Sequence, residues 1–100
     1  MKELQEEFTG KGQVRGFEFT QIKKTEYAYI YNVDTGVSEH YEVFERRENT
    51  QFKCVSYPSN KAFGLWAKTT SNYEYALELM EMFHCRILLR NESNKINLVY

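Results

Sequence analysis

The sequence predicts an α+β domain, an antiparallel sheet of about five strands in the order β-β-β-β-β-α with one C-terminal amphipathic helix packed on one face. Three observations carry this expectation. Apolar and polar residues alternate in five successive segments, and 16% of the 100 residues are aromatic, a class that favours strands. From residue 73 onward, apolar residues recur at helical spacing behind a cap-forming Ser71.

Residues 1–12 are polar apart from Leu4 and Phe8 and end in Gly10-Lys11-Gly12, which predicts a loose N-terminal arm. The domain proper is expected over 13–90. Its first strand is 14–23, with Phe17 and Phe19 opposite Glu18, Thr20 and Ile22, and with Gly16 as a candidate bulge. A second strand, 27–33, is apolar on both sides and therefore central. Asp34-Thr35-Gly36 has turn chemistry and pairs that strand with 37–46 as a hairpin. Segments 51–57 and 62–68 supply the fourth and fifth strands, separated by Pro58-Ser59-Asn60.

Ser71 and Glu74 have the spacing of a capping box at the start of the helix. Tyr73, Ala76, Leu77, Met80 and Phe83 form its apolar stripe, widened by Leu79 and Met82, and Glu74, Glu78 and Glu81 face away. Residues 86–90 either extend this helix, ending near Asn91, or pair with 96–100 as a hairpin. Residues 91–100 are accordingly expected as a tail or a last strand.

One helix covers one face of a sheet. If it packs over Ile30, Val43, Phe52, Cys54, Phe63 and Leu65, the other face displays Tyr27, Tyr29, Tyr31, His40, Phe44, Lys53, Tyr57 and Trp66, with Arg46 at its margin. These nine residues form the candidate binding surface. A ring-rich, partly basic sheet face suits a protein partner, a second copy of the chain or stacked single-stranded bases.

The chemistry-bearing residues point away from catalysis. His40 shares its strand face with Glu42 alone, and His84 and Cys85 diverge around the helix because neighbours there differ by about 100°. Two His and two Cys, scattered at 40, 54, 84 and 85, do not have metal-ligand spacing, and Gly10-Lys11-Gly12 lacks the phosphate-loop pattern. No metal and no cofactor is therefore expected. The net charge of −1 lacks the basic excess typical of nucleic-acid domains. Cys54 and Cys85 are expected as reduced, buried thiols in a cytoplasmic protein. The N-terminus has no apolar signal segment, and no run is apolar enough to span a membrane.

The run FGLWAKT…YALELMEMF resembles small bacterial or phage proteins. Strands followed by a helix is also similar, in layout only, to the Whirly type of single-strand DNA binder. The expected function is a non-enzymatic binding or regulatory module acting through protein contacts, possible as a homodimer. Single-stranded nucleic-acid binding through the aromatic face is the alternative.

Overall fold

The computed structural model describes residues 1–99, with side chains through Glu92. Its centre is the predicted hairpin. Strands β2 (Glu18–Lys24), β3 (Ala28–Asp34) and β4 (Glu39–Glu45) run antiparallel, and β3 is apolar on both sides because it is covered on both. The β3–β4 turn forms as its residues dictate: the Gly36 amide donates to Asp34 Oδ1 at 2.8 Å, and Gly36 takes a φ of 88°. An irregularity between Gln21 and Lys23 leaves Ile22 unpaired, so the bulge lies there and not at Gly16.

The sheet has five strands, but two differ from those expected. Residues 1–12 are not a loose arm: Glu7–Thr9 form β1, which pairs with β2 at one edge. The opposite edge is β7 (Ala67–Thr70), paired with β4. Segment 51–57 does not form a strand of this sheet. Thr50–Lys53 turns, with Lys53 at φ 52° and the Phe52 amide bonded to Asn49 Oδ1, leaving only β5 (Glu48–Asn49) and β6 (Cys54–Val55) as a small ladder. Segment 62–68 is likewise interrupted. Gly64, at φ 92°, turns the chain before β7 begins, which is why a residue without a side chain occupies it.

Helix α1 (Tyr73–Val99) is capped by Asn72, whose Oδ1 accepts from the Tyr75 amide at 3.0 Å. The Ser71–Glu74 box expected at this end does not form; a single side-chain cap from Asn72, one residue later, takes its place. Residues 86–99 continue the helix rather than forming a hairpin; Tyr100 lies outside the described residues.

Two apolar layers flank the sheet. Under α1 lie Ala28, Ile30 and Val43, packed against Ala76, Leu79, Met80 and Phe83. On the other face Phe19, Tyr29, Tyr31, Val33 and Phe44 are covered by Leu4 and Phe8 from the N-terminal segment and by Val55, Tyr57, Ala62 and Phe63 from the 46–66 connection. Burying each large side chain stabilises by about 1.5–3 kcal/mol, so both faces of the sheet contribute to the core.

Candidate functional site

The nine residues of the predicted surface do not form one open face. Tyr29, Tyr31 and Phe44 are fully buried. The same-face parity is as expected, since Tyr29 sits opposite Phe44 and Tyr31 opposite Glu42, but the face is closed by the chain itself. Phenol chemistry explains how. The rings stack, with Tyr29–Phe44 centroids 5.5 Å apart and Tyr31–Phe44 centroids 5.8 Å apart, and each hydroxyl reaches the N-terminal segment. Tyr29 donates to Glu3 Oε1 at 2.5 Å and Tyr31 to the Gln5 carbonyl at 2.6 Å.

Arg46 supports the same cover, donating to both Glu3 oxygens and to Glu48. Arg46 first, and then Tyr29, hold the Glu3 carboxyl well below the usual carboxylate range, while burial, reinforced by Glu3, pushes the Tyr29 phenol up. Tyr27 parts from the others. Its ring meets His84 of α1 at 5.7 Å, on the helix side of the sheet. Lys53 is exposed in the 50–53 turn.

The helix side differs from expectation too. Only Ile30 and Val43 of the six residues expected there lie under α1; Phe63 packs on the opposite face, Phe52 and Leu65 are exposed, and Cys54 belongs to the small ladder. Cys85 is exposed and Cys54 half-buried, so both thiols are free but neither is buried.

His40, Glu42 and Tyr57 do come together. His40 Nε2 lies 3.1 Å from Glu42 Oε2, and the Tyr57 hydroxyl donates to Glu42 Oε1 at 2.5 Å. A carboxylate only accepts, so the imidazole carries its proton on Nε2. Burial first, and then the Glu42 charge, raise the Tyr57 phenol far above its ordinary value. Glu42 and Tyr57 also line a cleft of about 550 Å³ between residues 5–14 and 57–63, with Phe8, Phe19 and Phe63 in its walls. Across it, Asn60 Nδ2 donates to Gln13 Oε1 at 2.8 Å.

Trp66 marks a second cluster, at the end of the sheet near Arg86 and Arg90 of α1. The Arg47 guanidinium lies 4.8 Å from the Trp66 ring centroid and donates to Glu45 at 2.8 Å, while Arg90 reaches the other Glu45 oxygen at 3.2 Å. Arg86 donates to the Leu65 carbonyl at 3.3 Å. Leu65 is 66% exposed, and Leu89, about one turn beyond Arg86, is 63% exposed. Glu45 has the parity of Val43, so alternation aims it under the helix, where a carboxylate requires cationic partners. That conflict was the signal in the sequence for Arg90, which the expectation omitted.

Among the described residues no group of three or more His, Cys, Asp and Glu could hold a metal ion, and no helix is long and apolar enough to cross a membrane. Comparison of the chain with protein-family models, curated proteins and solved structures finds no match.

Proposed function

We propose that this chain is a non-enzymatic binding module that acts through protein contact, with a second copy of itself as the partner. The contact is made by the arginine-rimmed apolar patch at Leu65, Trp66 and Leu89. One observation carries this reading: Leu65 and Leu89 are each more than half exposed, and an arginine stacks on the half-buried Trp66 that follows Leu65 in the chain. Trp and Arg dominate interface energetics, because both bury large areas and also carry directional polar groups. Charge supports a self-contact. Arg47, Arg86 and Arg90 surround the patch, and the exposed Glu74, Glu78 and Glu81 of α1 offer the complementary stripe on another copy. The two unpaired cysteines fit a reducing, cytoplasmic compartment.

Light scattering on a size-exclusion column tests the proposal. A dimer that dissociates on dilution and with added salt is expected, and Leu65→Glu with Leu89→Glu should leave a folded monomer. A wild-type chain monomeric at every accessible concentration overturns it.

The Arg47–Trp66 stack with Arg86 and Arg90 nearby also favours a second reading, single-stranded nucleic acid, through one half-buried ring and several cations. Trp66 is the chain's single tryptophan, so its fluorescence reports on the patch directly. Quenching by an oligonucleotide that fades as salt rises would support this second reading.

A further inference from the structure

We propose that the cleft between residues 5–14 and 57–63 binds a small organic cation with an apolar body, taking Glu42 as its counter-ion. The cleft is separate from the Trp66 patch and lies over the aromatic face of the sheet. Its volume of about 550 Å³ falls within the range of small-molecule sites, about 300–1,000 Å³. Phe8, Phe19 and Phe63 give it apolar walls, and Glu42 is the one carboxylate lining it among the described residues.

The arrangement of Glu42 distinguishes a binding site from a packing defect. Its side chain is only 14% exposed, yet it borders the cleft. Tyr57 and His40 each donate to a different oxygen and fix the carboxylate plane. A carboxylate has about four lone-pair sites, so two remain for an incoming N–H. Tyr57 donates as a neutral phenol, so this hydrogen bond does not cancel the carboxylate's charge. Aromatic rings beside a carboxylate attract cations twice, through ion pairing and through the negative ring faces. Lys11, the one cationic side chain lining the cleft, is exposed at its mouth, where water and salt screen it.

The mouth is bridged by a side-chain hydrogen bond. The Gln13–Asn60 hydrogen bond joins two exposed side chains across it, so the walls are linked by a contact that water can replace. A ligand longer than the cleft can therefore displace this bond and project outward without disturbing the sheet.

The experiment titrates the full chain with benzylammonium, benzyl alcohol and benzoate while following backbone amide chemical shifts. Benzylammonium is expected to move the amides of residues 5–14 and 57–63 and to bind at least about tenfold more tightly than benzyl alcohol, the gain of one charge-assisted pair. Glu42→Gln, which still accepts from Tyr57, should erase that preference. Equal affinity for the alcohol, preference for benzoate, shifts elsewhere, or none, would each overturn the proposal. Should Glu42→Gln fail to fold, the three-ligand comparison on the wild-type chain decides alone.

Discussion

Glu45 is 1% exposed yet carries a charge, and both partners that neutralise it stand in solvent on their outer sides. Removing water from a carboxylate is costly, and Arg47 and Arg90 offset that cost with hydrogen bonds to separate oxygens. The asymmetry of buried pairs gives a sharp expectation. Glu45→Met, which removes the charge and fills the volume, should leave stability within about 1 kcal/mol of wild type. Arg47→Ala with Arg90→Ala, which strands the charge, should cost about 2 kcal/mol after allowance for screening of two half-exposed arginines. Urea unfolding of the two variants distinguishes them. A larger loss for Glu45→Met than for the double variant would show that the ion pair itself, and not its desolvation, governs this site.

The helix start is decided at the scale of one turn. Asn72, not Ser71, supplies both cap bonds: its side chain takes the Tyr75 amide and its carbonyl takes the Ala76 amide at 3.0 Å. Asn72→Ala should therefore cost about 1 kcal/mol, and Ser71→Ala only a few tenths. Thermal denaturation checks the pair, and the reverse order would restore the Ser71–Glu74 box. Helix α1 was legible in the sequence because its stripe spans several turns and survives a one-residue error at the cap. The β3–β4 hairpin was legible for a similar reason: strict alternation and Asp34-Thr35-Gly36 point to the same pairing. Segments 51–57 and 62–68 misled because alternation over so few residues does not reveal a left-handed Lys53 or Gly64. β1 was missed because only Phe8 in Glu7–Thr9 is apolar, as befits an edge strand with one covered face.

Across the whole molecule, parity on β3 and β4 was readable, but what lies on top of the aromatic face was not. The cover depends on contacts between Glu3 and Arg46 and between Tyr31 and the Gln5 carbonyl, and no local pattern encodes partners so distant in sequence. The same contacts make stability depend on pH from both sides. The Glu3 carboxyl is held low in the folded chain, so its contribution is full above the ordinary carboxylate range and is lost as pH falls through and below it. The Tyr29, Tyr31 and Tyr57 phenols are pushed up, mainly by burial, so their contribution is full below the ordinary phenol value and is lost as pH rises beyond it. Ultraviolet titration should find these three phenols ionising only together with unfolding. Smooth ionisation in a chain that keeps its circular dichroism would mean that the face is open.

The cover also orders events in time. Hairpins such as β3–β4 close loops of a few residues and form within microseconds, whereas joining Glu3 to Arg46 requires a much larger loop to close. The ring-rich face of the hairpin is thus expected to exist uncovered, briefly, in every molecule that folds. During that interval Tyr29, Tyr31 and Phe44 are available to a neighbouring chain. Residues 1–9 end that interval by docking, so shortening the segment is expected to raise the fraction of refolding chains that aggregate, measured by light scattering during refolding.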